Sequence, residues 1–166
     1  MKNSTKFLTL IAVTLLLVSS ISSCNKKAEE TKDAVTEPTF NLATAKAEIE
    51  AANGEFKVFF AAADSIGIAN LYTRDAKFMN NGAPAVIGRK NIQSALSGII
   101  KSGITSVNLI TIDVWGTENL ITEEGELSLF VDETVVYQGK YIVLWKKVDG
   151  NWRLFRDIFN SNLPAE

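Results

Sequence analysis

Three charged residues set in apolar, strand-forming runs are the best candidates for chemistry in this chain: Glu123, Arg156 and Asp157. Around Glu123, alternation puts Ile121, Glu123, Gly125, Leu127 and Leu129 on one face of a strand and Thr122, Glu124, Glu126 and Ser128 on the other. A carboxylate among apolar neighbours is costly unless it is paired, and Arg156 is the available cation. One reading is a buried structural ion pair between Glu123 and Arg156. A sharper one is an acid or base with a shifted pKa beside an orienting arginine, and a third leaves both groups in water. In an unbroken strand Trp152, Leu154, Arg156, Ile158 and Asn160 share a face, and Arg153, Phe155, Asp157, Phe159 and Ser161 share the other. The first set is the more apolar, so Arg156 and Asn160 are predicted to face inward. Asp157 is then left to the opposite face or a dimer interface, unless a bulge intervenes.

Absences narrow the chemistry further. The 166 residues include no histidine, which excludes a Ser-His-Asp or Cys-His nucleophile pair, a His-ligated zinc and an HExxH site. Proton transfer must therefore run on Asp, Glu, Tyr or Lys. Cys24 is the only cysteine, so no intramolecular disulfide can form. No phosphate-cradling glycine loop, nucleotide fingerprint or metal-ligand spacing is present, and no cofactor is called for. The formal net charge is −2, and discounting Lys2 and Lys6 makes it more acidic, so nothing recruits nucleic acid by charge.

The elements that must position these residues come after a leader. Lys2 and Lys6, an apolar run from Phe7 to Val18, and Ile21-Ser22-Ser23 before Cys24 have the layout of a secretory signal over 1–23. Its end resembles a bacterial lipobox, which implies lipidation of Cys24 and attachment to the cell envelope, with the membrane touched only through that anchor. Residues 24–41 are polar and carry little to bury, as expected of a flexible tether. The remaining residues, 42–166, read as one domain, for which the 46% hydrophobic content supplies a core. Leu42, Ala45, Ile49, Ala52, Phe56, Phe59 and Ala63 form a helical stripe. Gly54 within it is expected to mark a close packing contact. Asp64 or Ser65 caps a short second helix, a short strand spans Ala76 to Met79, and Gly88-Arg89 opens a third helix that stops at Gly103. After Gly103 the period changes to two, predicting four consecutive antiparallel strands: Ser106–Trp115, Asn119–Val131, Thr134–Lys147 and Trp152–Asn162. Helices first and a meander afterwards make the fold α+β.

Asp64, Leu71-Tyr72-Thr73-Arg74-Asp75-Ala76, Gly88-Arg89, Glu123-Glu124-Gly125, Trp145-Lys146, Asp149-Gly150, Trp152, Arg156-Asp157-Ile158 and Asn160-Ser161, in this order and spacing, resemble the SnoaL-like branch of the NTF2-like superfamily. The resemblance implies a cone, in which a curved, mainly antiparallel sheet wraps three helices and leaves a cavity open at one end. It implies a pocket carboxylate near Asp157, against the alternation argument. It sets Tyr72, Met79, Trp115, Tyr141 and Trp145 around the cavity with Asn160. The same family includes isomerases, cyclases and dehydratases beside proteins without catalysis, so fold alone does not select the function. Three functions remain. One is a non-catalytic module binding a small apolar molecule. Another is a cofactor-free isomerase, cyclase or lyase, with Asp157 or Glu123 as base and Arg156, Tyr72 or Tyr141 stabilising charge. The last is a structural module without a working pocket. A homodimer packed through the sheet is the expected assembly.

Overall fold

The computed structural model describes residues 39–163. The leader 1–23, Cys24 and most of the tether 24–41 lie outside the described residues. The described elements run α1 (Leu42–Ala61), α2 (Ser65–Asn70), β1 (Tyr72–Met79), β2 (Val86–Ile87), α3 (Arg89–Lys101), β3 (Ser106–Gly116), β4 (Leu120–Val131), β5 (Thr134–Val148) and β6 (Asn151–Ser161). This is the α+β architecture expected, with helices held against one curved, mostly antiparallel sheet.

Local chemistry accounts for the helix ends. Asn41 accepts from the Thr44 amide at 3.0 Å and so caps α1. Asp64 caps α2 by accepting from the amides of Ile66 and Gly67 at 3.1 and 2.8 Å. Ser102 is the C-cap of α3, and Gly103 beyond it has a φ of 103°, the left-handed conformation that ends a helix. The Asp149-Gly150 turn has both residues at positive φ, 50° and 77°. That geometry matches the twist of the hairpin, in which Val148 pairs with Asn151.

The sheet order is β2-β1-β6-β5-β4-β3. The last four strands form the predicted meander, while β1 pairs with β6 in parallel. β1 is longer than its predicted stretch, starting at Tyr72 instead of Ala76, and the two-residue β2 was missed. The core joins Ala45, Ile49, Phe56 and Phe60 of α1 and Ile92 and Leu96 of α3 to the inner residues of the sheet. Gly54 is not a close contact, because a Cβ built there meets nothing within 4 Å.

Two irregularities in register decide which side chains enter the cone. In β3 Thr111 pairs with Gly125 but Asp113 with Glu124, so Ile112 is extra. Val107, Leu109 and Thr111 face inward before it, and Val114 does so after it. In β6 Leu154 pairs with Trp145 but Arg156 with Leu144, so Phe155 is extra. Each extra residue reverses the phase of the strand beyond it. Trp115 is therefore 44% exposed on the outer face, not in the cavity wall as expected. By the same shift Asp157 and Phe159 turn inward, and Arg156, Ile158 and Asn160 turn out. The alternation argument assumed an unbroken strand, and the bulge reverses its conclusion.

Candidate functional site

Glu123 lies on β4 between Val114 of β3 and Val143 of β5 and is fully buried. Four donors from α1, β3 and β5 converge on its carboxylate. Oε1 accepts from Asn53 Nδ2 at 2.7 Å, Thr111 Oγ1 at 2.6 Å and Tyr141 Oη at 2.8 Å. Oε2 accepts from Trp145 Nε1 at 2.7 Å. Burying a carboxylate costs several kcal/mol, and charge-assisted hydrogen bonds of about 1.5–3 kcal/mol each offset that cost.

The expected Glu123–Arg156 ion pair is not made. The Arg156 guanidinium lies over the Phe155 ring, 3.6 Å from its centroid, and donates to the carbonyls of Phe155 at 2.7 Å and Asp75 at 3.3 Å. Neutral donors satisfy Glu123 instead, which leaves the arginine free to stack outside the cone.

Tyr141 reaches Glu123 because its partner across the strands is Gly125. A Cβ on Gly125 would collide with the Cζ and Oη of Tyr141, so glycine opens the path along which the ring lies. Trp145 is fully buried beneath it.

The second carboxyl, Asp157, is 8% exposed and accepts from Tyr72 Oη at 2.5 Å through its Oδ2. Burial raises its pKa to about 6. The Tyr72 hydrogen bond opposes that rise, and the charge of Glu123 adds to it. Burial, followed by the charge of Asp157, holds the Tyr72 hydroxyl protonated well above the usual phenol range. Burial and the nearby Glu123 raise Tyr141 as well. On α3, Arg89 donates from Nε and Nη2 to the Tyr72 carbonyl, tying that helix to the strand that carries the tyrosine.

Asp157 opens onto a cavity of about 70 Å³. Its wall is almost wholly apolar, formed by Phe56 and Phe60 of α1, Leu96 of α3, Leu109 of β3, Leu127 of β4 and Phe159 of β6, among others. Asn53 and Tyr141 are its other polar residues.

Of the nine residues named from sequence for catalysis or the pocket, Tyr141 and Asp157 line this cavity. Tyr72, Glu123 and Trp145 stand behind it as hydrogen-bond partners. Met79 and Asn160 border a separate, wetter cleft beside residues Asn80 to Ala83, and Arg156 and Trp115 are outside. Asn53 and Thr111 were missed. Asn53 carried a signal, a polar residue four positions after Ile49 and three before Phe56 on the buried stripe. Thr111 carried none, being a small polar residue in an Ile- and Val-rich strand.

No protein-family model matches the chain, and none of the curated proteins is similar to it. Its structure is similar to solved ones. An NTF2-like protein with a cystatin-like fold from Novosphingobium aromaticivorans superposes with a TM-score of 0.66 at 15% identity, covering 75% of this chain and 86% of that one. A domain of unknown function with a cystatin-like fold from Nostoc punctiforme gives 0.65 at 14%, covering 75% and 81%. A ketosteroid isomerase-like protein from Erwinia carotovora atroseptica gives 0.59 at 20%, covering 71% and 96%. At these identities the likeness shows the fold, which is NTF2-like.

Proposed function

We propose that this domain binds a small, largely apolar molecule in the concave cavity, with Asp157 as its polar anchor. The observation that carries this reading is the pairing of an apolar wall with one inward carboxyl whose Oδ1 has no donor among the described residues. Glu123 is not the anchor, since four hydrogen bonds already occupy its oxygens and it is sealed from the cavity. Its part is to hold Asn53 and Tyr141 in the wall. Native mass spectrometry of the full-length protein purified from its own host tests the reading. A retained small molecule that Asp157→Asn or Leu109→Trp removes is expected. A wild-type chain that never carries or takes up any ligand would overturn it.

A second reading makes Asp157 a general base in a cofactor-free isomerisation or elimination. It is favoured by the same residue's raised affinity for protons, which puts its titration near neutral pH. Solvent deuterium exchange into a bound ligand, lost in Asp157→Asn, is the result that reading needs.

The setting completes the proposal. Cys24, lipidated after removal of the leader, anchors the domain at the cell envelope, and two copies pair through the outer face of the sheet. Ile110, Ile112, Trp115 and Ile158 are exposed on that outer face and support that pairing. Detergent-phase partitioning that disappears in Cys24→Ala tests the anchor.

A further inference from the structure

We propose that the ligand of this cavity is a hydrogen-bond donor, an aliphatic amine or alcohol, and not a carbonyl compound. The proposal rests on the binding reading above and names its ligand class. It comes from counting hydrogens.

Asp157 lines the cavity and Glu123 lies sealed behind it, and together the two carboxylates take the hydrogens of the side-chain donors around them. Thr111, Tyr141 and Trp145 each carry one polar hydrogen, and each gives it to Glu123. Tyr72 gives its one hydrogen to Asp157. Asn53 Nδ2 has two, directed at Glu123 Oε1 at 2.7 Å and Thr111 Oγ1 at 3.3 Å. Both of those atoms can only accept, Thr111 having spent its hydrogen. The Asn53 amide is therefore oriented without ambiguity, with nitrogen toward Glu123 and Oδ1 turned away.

What remains for a ligand is lone pairs. Among the described residues no donor reaches Asp157 Oδ1 or Asn53 Oδ1. Neither is sealed in protein, because the hydroxyl of Tyr137 is the one fully buried side-chain polar atom there without a partner. Both residues line the cavity. An ammonium group brings three donors to these acceptors, and an alcohol brings one. A carbonyl brings only lone pairs to lone pairs, which desolvates it without return. The same count leaves no donor to stabilise an enolate oxygen, so it weighs against enolising chemistry at this site.

Size selects a compact group. A cavity of about 150 Å³ admits benzene, and this one is about 70 Å³. sec-Butylamine, sec-butanol and butanone are each about as large as benzene, so each would seat its polar head and adjacent carbons in this cavity and leave the rest of its chain at the open mouth, and the series differs in donor count.

Protonation of Asp157 changes the count by one. The titratable groups facing it are Tyr72 from β1, Glu123 from β4 and Tyr141 from β5. Below a pH of about 6 its Oδ1 can carry a hydrogen, and the cavity then offers one donor.

The test is ligand-observed NMR titration of the full-length chain with the three probes at pH 8 and pH 5. At pH 8 sec-butylamine should bind at least about tenfold more tightly than butanone, with sec-butanol between, and the gap should narrow at pH 5. In Asp157→Asn the amide oxygen takes the Tyr72 hydrogen and its NH2 faces the cavity, so the preference should invert in favour of butanone. Butanone binding as tightly as the amine at pH 8 would overturn the donor rule and leave the cavity reading standing. If none of the three binds, the cavity reading falls and takes the rule with it.

Discussion

At the scale of single residues, the two buried carboxyls differ in how completely they are hydrogen-bonded, and so they do different work. Glu123 accepts from four donors and has no spare lone pair directed at the cavity. Substitution Glu123→Gln forces an NH2 group against neighbours that are already donating, so it should destabilise the domain by about 2–4 kcal/mol in urea unfolding. Asp157 behaves oppositely because burial raises its pKa from 3.8 to about 6. Its folded form binds a proton more tightly than its unfolded form, so its contribution to stability is full below about pH 4 and is lost as the pH rises through about 6. The loss is on the order of 3 kcal/mol at most. The difference in stability between wild type and Asp157→Asn, measured by urea midpoints at stepped pH, should shift in the variant's favour across that window and stay level above it. A group that costs stability when ionised, yet faces a cavity, fits a residue kept for binding.

Secondary-structure elements set where those residues point. The extra residues Ile112 and Phe155 are each a miscount of one between paired strands, and each swaps the inward and outward sets beyond it. Gly125 acts on the same scale. Gly125→Ala places a methyl group where the Tyr141 ring lies, so the ring must leave Glu123. A loss of about 2 kcal/mol is expected, with Tyr141 fluorescence or NMR shifts reporting the displaced ring. Gly54 and Gly98 sit inside α1 and α3 and have open space where a Cβ would be. Each exchanged for alanine should raise stability by about 0.5–1 kcal/mol, since only backbone entropy changes. These two variants serve as controls that leave the cavity untouched.

At the largest scale, the described residues 39–163 form a cone whose outer sheet face carries exposed apolar groups. Ile110, Trp115 and Ile158 stand there between Glu124, Glu126 and Lys140. If the proposed homodimer forms through this face, Trp115→Glu should convert it to monomer in sedimentation velocity while leaving the unfolding midpoint of the isolated fold nearly unchanged. That separation is expected because Trp115 is outside the core. The sequence by itself was enough for the α+β class, the three helices, Asp64 as one of two caps offered for α2, the Asp149-Gly150 hairpin and the inward face of β4. Each of these rests on local periodicity or on contacts a few residues apart, which the chain carries in plain order. Only the tertiary structure decided that Asp157 and not Arg156 turns inward, that Trp115 stays outside, and that Asn53, Thr111, Tyr141 and Trp145 meet on Glu123. A bulge is defined by the pairing of two strands, not by either one. The donors of Glu123 lie between 12 and 70 positions away along the chain, where no local pattern reaches.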